Sequence, residues 1–201
     1  QGTLTAKNVV IGTNAYSDTL WPGLKQTFTI IHYFQLATKP LGDRVAGVLR
    51  EGQGLWDTAP IMFSVRRDAF GRLIVGSMGR VIGDAGKGLS HRWALRMLDK
   101  VFSDLGPVEI ETAWHGQIAM TNDHLPRIHR LADGLYTPVG YNGRGIGPGT
   151  MFGKAMAALV AGGDEADLPM PITNLKTSAA APIMKRAYDL AFTANQVIKS
   201  L

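Results

Sequence analysis

The sequence predicts an α+β fold in which a mixed or antiparallel sheet is covered by helices. Three patterns support this prediction. Residues 27–38 alternate, two apolar-rich runs at 61–66 and 72–77 flank a short turn, and a strand, a glycine-rich loop and a helix follow one another within residues 135–163. With 201 residues and 45% hydrophobic content, the chain can bury a core in one domain or in two small ones.

The first half of the chain contains the main strand signals. Residues 7–13 form a continuous apolar run, typical of a strand buried on both faces of a parallel sheet. Such a strand needs neighbours, so we expect the chain to be a piece of something longer. In residues 27–38, one face collects mainly apolar side chains and the other carries Tyr33 and Gln35. The runs at 61–66 and 72–77 should form a hairpin whose turn residues, Arg67 and Asp68, are expected to tolerate polar substitution.

Two helices and two further strands are expected in the second half. Ser90 can cap a helix that ends before Gly106, and residues 108–114 and 135–139 alternate as strands. A last helix should begin near Pro182 and pack its apolar stripe against the fold. The stripe consists of Ile183, Ala187, Leu190, Ala191, Ala194, Val197, Ile198 and Leu201.

The glycine-rich loop, GYNGRGIGPG at residues 140–149, precedes an apolar helix that stops at Gly162 and Gly163. A helix N-terminus has unsatisfied N–H groups and about half a positive charge, and glycines let a ligand come close. The loop therefore suits a group that is or becomes anionic, although a plain chain turn is the alternative. The chain contains no G-x-G-x-x-G and no phosphate loop, so this is not a standard nucleotide-binding loop.

Composition and motifs exclude several function classes. The net charge is +5, but the basic residues are scattered, so nucleic-acid binding is not predicted. The chain has no cysteine, its five histidines lack zinc-site spacing, and we expect no metal site. No apolar run has the length of a membrane span, and a cytoplasmic location is expected. The stretch VGSMG at residues 75–79 lacks the glycine two before the serine that a nucleophile elbow requires, which leaves cofactor chemistry.

Several strings resemble one family. They are NVVIGTNAYS at 8–17, QLATKPL at 35–41, WHG at 114–116 with NDHLP at 122–126, and GLY at 134–136 with GYNGRG at 140–145. In order and spacing, the chain resembles the C-terminal half of FAD-dependent oxidoreductases of the D-amino-acid oxidase superfamily, most of all the gamma-glutamylputrescine oxidoreductase branch. The resemblance implies that the glycine loop lies against the flavin ring near its N1–C2=O edge, which gains negative charge on reduction.

The resemblance also implies the site residues. For the cofactor they are Thr13, Asn14, Tyr141, Asn142, Gly143, Arg144, Gly145, Ile146 and Gly147. For the substrate they are Tyr33, Gln35, Arg80 and Arg144, and no catalytic side chain is assigned. Glycine-oxidase-like members have a carboxylate-clamping arginine soon after the tryptophan, where this chain has QIAM at 117–120, and Arg144 is offset from their second arginine. An amine substrate is therefore as credible as an amino acid.

The domain organisation follows from the same resemblance. Residues 1–22 would end the FAD-binding domain, 23–115 would form the substrate domain, 116–165 would return to the FAD-binding domain, and 166–201 would be a tail and helix. The ADP-binding motif lies near the N-terminus in this family, so a missing N-terminal half is the expected partner and this chain alone should be inactive. The expected function is oxidation of the C–N bond of an amine or amino acid by hydride transfer to FAD. The alternative is a catalytically silent fragment that serves as a binding or interaction module.

Overall fold

A computed structural model describes residues 2–201, which divide into two compact units. The first unit comprises residues 2–31 and 117–185, and the second comprises residues 32–116 and 186–201. The described residues form strands in two sheets together with three α-helices, which confirms the predicted α+β class.

The strands of the described residues are β1 (Val9–Val10), β2 (Thr29–Thr38), β3 (Leu55–Trp56), β4 (Phe63–Arg67), β5 (Leu73–Met78), β6 (Ile110–Met120), β7 (Arg127–Ala132), β8 (Leu135–Val139) and β9 (Ile172–Thr173). The helices are α1 (Leu89–Val101), α2 (Ile146–Val160) and α3 (Ala181–Ser200). Strands β3, β7 and β9 were not expected. Two of them have only two residues each, too few to show an alternation.

The first unit is built on a four-stranded sheet in the order β1-β8-β7-β9. Strand β1 is parallel to β8, β8 is antiparallel to β7, and β7 is parallel to β9. Phe152 and Met156 of α2 pack against Ile128 of β7. Because side chains alternate along a strand, His129 points to the other face of β7.

The second unit is built on a five-stranded sheet in the order β3-β4-β5-β2-β6. Its core joins one face of β2, β4 and β5 to α1, and the ring of Trp93 meets that of Phe34 edge-on at 4.8 Å. The predicted hairpin is confirmed, since β4 and β5 pair antiparallel across the turn.

The hairpin turn is more constrained than we expected. The Asp68 carboxylate accepts hydrogen bonds from the N–H groups of Phe70 and Arg72, at 2.8 and 2.9 Å. Arg67 donates to the carbonyls of Val45 and Val48, each at 3.1 Å. These contacts disagree with the expectation that Arg67 and Asp68 tolerate polar substitution.

Ser90 does not cap α1. Gly88 occupies the N-cap position, and Ser90 is fully buried in the first turn. Its hydroxyl accepts from the N–H of Ile82 at 2.8 Å and donates to Gln196 of α3 at 3.0 Å. A distant partner therefore uses the hydroxyl that local sequence rules assigned to a cap.

The apolar stripe of α3 is exposed, contrary to the prediction. Leu190 is 74% exposed and Ile198 is 69% exposed, whereas Phe192 and Gln196 on the roughly opposite face are buried. Gln196 is held because its side-chain N–H donates to the carbonyl of Arg80 at 3.0 Å. Polar contacts that hydrophobic periodicity does not register therefore orient the helix together with the buried ring of Phe192.

The first strand also differs from the prediction. Only Val9 and Val10 pair as a strand, and they are 48% and 38% exposed. Among residues 2–201, β8 is the strand that pairs with β1. The side chains of this short strand are therefore partly in contact with solvent.

Candidate functional site

The parallel pairing of β1 and β8 brings two of the predicted cofactor segments together. Parallel strands end at the same edge of a sheet, so Thr13 and Asn14 after β1 lie beside Gly140 after β8. The side-chain oxygen of Asn14 accepts a hydrogen bond from the N–H of Gly140 at 3.0 Å. Asn14 has a positive φ of 46°, which asparagine tolerates better than most residues. This contact ties the turn after β1 to the start of the glycine loop.

Thr13 lies next to this junction and is exposed. Its hydroxyl contacts the hydroxyl of buried Ser17 at 2.9 Å. Thr13 therefore places a polar group at this edge of the sheet, and its contact with Ser17 holds it there.

Asn142 holds the glycine loop in place. Its side-chain oxygen accepts from the N–H of Thr121 at 2.8 Å, and its own N–H donates to the carbonyl of Ala119 at 3.2 Å. It also donates from its side chain to the carbonyl of Gly140. Because these bonds occupy the amide, Asn142 acts by positioning the loop.

Tyr141 packs beneath the loop. Its ring lies 5.8 Å from that of Phe152 in α2, and burial raises the pKa of the phenol. The hydroxyl therefore stays protonated at neutral pH. The ring anchors the loop to α2.

Residues 143–147, here called the glycine ledge, are all exposed. Gly143 has a φ of +83°, where a side chain would be strained. An ideal Cβ built on Gly145 or Gly147 meets no atom within 4 Å, and Ile146 is 90% exposed. Arg144 is also exposed and bonds back through its N–H to Tyr141 at 2.9 Å. The ledge thus presents bare backbone at Gly145 and Gly147 beside open space, with the exposed side chains of Arg144 and Ile146 between the glycines.

The ledge ends in the start of α2, which begins at Ile146 and not after Pro148 as its sequence suggests. Gly145 is the N-cap residue and supplies no side-chain cap. Pro148 has no N–H, and the N–H of Gly149 bonds to the carbonyl of Gly145 at 2.9 Å. Ile146 and Gly147 therefore offer the free donors at the positive end of the helix. A flat group with an electron-rich edge fits this surface.

Two of the predicted substrate residues, Tyr33 and Gln35, lie on β2 around Gly76 of β5. The Tyr33 hydroxyl contacts that of Ser64 on β4 at 2.6 Å, and Gln35 accepts from Arg66 at 3.3 Å. An ideal Cβ on Gly76 would lie 2.9 Å from the Tyr33 ring, so this ring crosses β5 over bare backbone. Burial raises the pKa of Tyr33, and the phenol is neutral.

Our sequence reasoning missed Ser64 and Gly76. A glycine inside a strand often marks a close approach by another group, and this was the available signal.

The hydrogen bonds of Arg80 are made with other residues than Tyr33 and Gln35. Its Nε donates to Nδ1 of buried His32 at 3.4 Å, and its carbonyl is held by Gln196. Among residues 2–201, no hydrogen bond or ion pair joins Arg80 to Tyr33 or Gln35. Arg80 is exposed, so its guanidinium remains accessible to a ligand.

No group of three or more His, Asp or Glu side chains in residues 2–201 could hold a metal ion. None of the helices in that part of the chain is long and apolar enough to cross a membrane.

The fold is shared with solved oxidases. Iminodiacetate oxidase from Chelativorans sp. BNC1 superimposes with a TM-score of 0.65 at 14% identity, covering 87% of this chain and 48% of that one. Glycine oxidase from Geobacillus kaustophilus gives a TM-score of 0.61 at 20% identity, covering 82% and 44%. At these identities the similarity establishes the fold.

The family is established by sequence. A family model described as FAD dependent oxidoreductase matches residues 1–159, and the chain belongs to this family. This confirms the predicted superfamily, and membership implies FAD as the cofactor.

Two curated relatives match about four-fifths of the chain. The probable oxidoreductase OrdL of Haemophilus influenzae is 30% identical over 165 residues, covering 80% of this chain and 37% of the relative. Gamma-glutamylputrescine oxidoreductase of Escherichia coli is 28% identical over 167 residues, covering 82% and 39%. The chain therefore spans less than half the length of these relatives.

Proposed function

We propose that the chain is part of an FAD-dependent oxidoreductase that oxidises the C–N bond of a small amine or amino acid. The observation that carries this proposal is the glycine ledge. In a chain of this family, bare backbone and a free helix N-terminus lie beside the paired ends of β1 and β8. The similarity to proteins named gamma-glutamylputrescine oxidoreductase, glycine oxidase and iminodiacetate oxidase supports a substrate with a C–N bond.

The ledge binds the edge of the flavin ring. With FAD bound, the N–H groups of Ile146 and Gly147 would donate to the ring edge that gains negative charge, and the positive helix end would stabilise that charge. Asn14 and Asn142 keep the ledge in position through their bonds to Gly140. When bound, FAD supplies the hydride acceptor: the substrate C–H bond breaks with its electron pair, and the nitrogen lone pair forms a C=N bond.

The substrate side is assigned to the face of β2 that carries Tyr33 and Gln35. The neutral Tyr33 hydroxyl and the Gln35 amide can both accept from and donate to an amine, so they orient it without a charged partner. Arg80 or Arg144, both of which are exposed, is assigned to a carboxylate of the substrate. In this assignment the glycine ledge of the first unit serves FAD, and Tyr33 and Gln35 of the second unit serve the substrate.

The pyrophosphate of FAD is bound elsewhere in this proposal, because the 201 residues contain no G-x-G-x-x-G. The purified chain should therefore bind the flavin ring weakly, and the ADP half of FAD should add nothing to the affinity. Titration of FAD and of riboflavin, followed by flavin fluorescence, should give similar and weak affinities. Tight, stoichiometric binding of FAD by the chain alone would contradict this part of the proposal.

A pair of matched variants tests the ledge itself. Gly145→Val should weaken riboflavin binding by roughly tenfold or more, because the side chain fills the space assigned to the ring. Gly145 has a φ of −67°, so valine adds no left-handed strain. The control is Gly153→Val in the same helix, where the added side chain also meets open space. Equal binding by both variants would show that the ledge is only a chain turn.

A further inference from the structure

The exposed face of α3 and of the residue that follows it is a continuous apolar surface, here called the α3 seam. Its members are Ile183, Met184, Ala187, Leu190, Ala191, Ala194, Val197, Ile198 and Leu201, and all of them are exposed. We propose that the α3 seam binds the same seam of a second copy of the chain, with the two helices antiparallel. This interface does not depend on the proposed flavin and substrate contacts.

The helix is held with the seam facing outward. On its opposite side, Phe192 is 3% exposed and Gln196 is fully buried. The Gln196 side chain accepts from the Ser90 hydroxyl and donates to the carbonyl of Arg80, each at 3.0 Å. A rotation of α3 that buried the seam would break both hydrogen bonds and expose the Phe192 ring. An apolar surface fixed in this orientation marks an interaction site.

The spacing within the seam is that of a coiled coil. Six apolar residues recur at steps of four, three, four, three and four, which is the period of 3.5 residues that keeps one stripe against a neighbouring helix. In chain order, they occupy alternating d and a positions of the heptad: Ile183, Ala187, Leu190, Ala194, Val197 and Leu201. This strict repeat favours another helix as the partner.

The seam is complementary to itself when the two helices run antiparallel. Each d position of one helix then faces an a position of the other. The layers are Ile183 with Leu201, Leu190 with Ala194, and Val197 with Ala187. In the inner layers, each alanine faces a large side chain, so the helices can pack closely without gaps. A parallel pair would place alanine against alanine and Leu190 against Leu190, which alternates empty and crowded layers. A twofold, antiparallel pair of identical seams therefore fits best.

The charges on this face also agree with a second copy. Arg186 is the one charged side chain of α3 that is exposed. In the antiparallel pair it lies beside Ser200 of the second copy, and the two Arg186 side chains are about 20 Å apart along the helix axis. This separation exceeds the screening length at physiological salt, so their repulsion is small. Helices that lie on anionic membranes carry several basic side chains at the polar edge, whereas this face offers one.

The length of α3 sets the strength of the interface. Its 20 residues form a helix of about 30 Å. Two such helices bury less than the roughly 1,200 Å² at which stable complexes begin. We therefore expect a weak, reversible dimer with a dissociation constant of about 10 to 500 μM.

Sedimentation equilibrium of the purified chain tests the interface. The weight-average mass should rise from monomer to dimer between about 5 μM and 1 mM. Leu190→Glu should raise the dissociation constant tenfold or more, because it places a charge against Ala194 of the second copy. The matched control is Leu4→Glu, the same substitution at a leucine that is 91% exposed outside the seam, and it should dimerise like the wild type. Circular dichroism checks that both variants keep their helix content.

Cysteine cross-linking tests the orientation, since the chain has no cysteine of its own. In the antiparallel pair Ala191 lies beside its own counterpart, so Ala191→Cys should form an intermolecular disulfide with oxidised glutathione. Ser200→Cys is the control, because Ser200 lies beside Arg186 of the second copy and about 20 Å from its counterpart. Equal cross-linking of the two variants, or faster cross-linking of Ser200→Cys, would overturn the antiparallel arrangement.

The remaining outcomes also decide the inference. A wild-type chain that is monomeric at about 1 mM, or equal weakening by Leu190→Glu and Leu4→Glu, would overturn it. If the monomeric chain instead binds vesicles of phosphatidylcholine and phosphatidylglycerol, and Leu190→Glu abolishes that binding, the seam is a membrane-binding surface and the dimer is refuted. None of these measurements involves flavin, so they separate this inference from the proposed function.

Discussion

Replacement of Gly76 by alanine tests how the substrate-side sheet is built. Gly76 lies in the middle strand β5, opposite Gln35 of β2 and Ser64 of β4. An added Cβ would lie 2.5 Å from the carbonyl oxygen of Phe34 and 2.9 Å from both the Gln35 Cγ and the Tyr33 ring. The carbonyl cannot retreat without disturbing the sheet, so the clash is not relieved by a side-chain rotation alone.

The expected cost has two parts. Overpacking a well-packed region typically costs about 1–3 kcal/mol. If the Tyr33 ring is displaced, its 2.6 Å hydrogen bond to Ser64 is also lost, which adds about 1 kcal/mol. The free energy of unfolding of Gly76→Ala should therefore fall by about 2–4 kcal/mol.

The assay is urea unfolding followed by tryptophan fluorescence, since Trp93 is fully buried in the same unit. Tyr33→Phe measures the hydrogen-bond part alone and should cost about 1 kcal/mol. Gly145→Ala is the control for a glycine whose Cβ meets open space, and it should not destabilise the chain. A loss of less than about 0.5 kcal/mol in Gly76→Ala would refute the close crossing of Tyr33 over β5.

Three further outcomes are expected. Leu73→Ala, at a fully buried position, should cost about 2–5 kcal/mol in urea unfolding, whereas Asp68→Ala should cost about 1–2 kcal/mol because two backbone N–H groups lose their acceptor. Burial lowers the pKa of His129, so the folded chain resists protonation of this ring. The contribution of the neutral ring to stability is therefore present above the unfolded pKa near 6.5, and it is lost as the pH falls towards the folded pKa. His129→Gln should reduce the dependence of the unfolding free energy on pH below about 7, and an unchanged slope there would contradict the assignment. Gln196→Met should destabilise the chain by about 1–3 kcal/mol and increase proteolysis in α3, because the buried Ser90 hydroxyl and the part-buried carbonyl of Arg80 lose their partner. Wild-type protease resistance would show that other contacts hold the helix.

The sequence patterns predicted an element correctly where the signal comes from residues within that element. The alternation at residues 27–38 corresponds to β2, and the two runs around the turn correspond to the antiparallel pair β4 and β5. The strand, loop and helix of the glycine stretch appear as β8, the ledge and α2. Each of these signals comes from residues that are neighbours in the chain, so periodicity and turn chemistry are sufficient to find them.

The sequence patterns gave wrong predictions where a residue's role depends on a partner that is distant in the chain. Gln196 was not among the residues that the sequence patterns picked out, yet its side-chain oxygen accepts from Ser90, 106 positions away, and so helps to orient α3. The hydroxyl of Ser90 suited a helix cap, but the same distant contact buries it. Hydrophobic periodicity alone could not choose the buried face of α3.

The sequence by itself determined the family, the α+β class and the position of the glycine ledge, because these depend on motifs and on local periodicity. Only the tertiary structure decided which residues hold the ledge and which can contact a ligand. Asn14 bonds to Gly140, 126 positions along the chain, and the parallel pairing of β1 with β8 creates that contact. It also revealed the unbonded Nε2 of His129, because burial and hydrogen-bond partners are properties of the folded chain that no local pattern encodes.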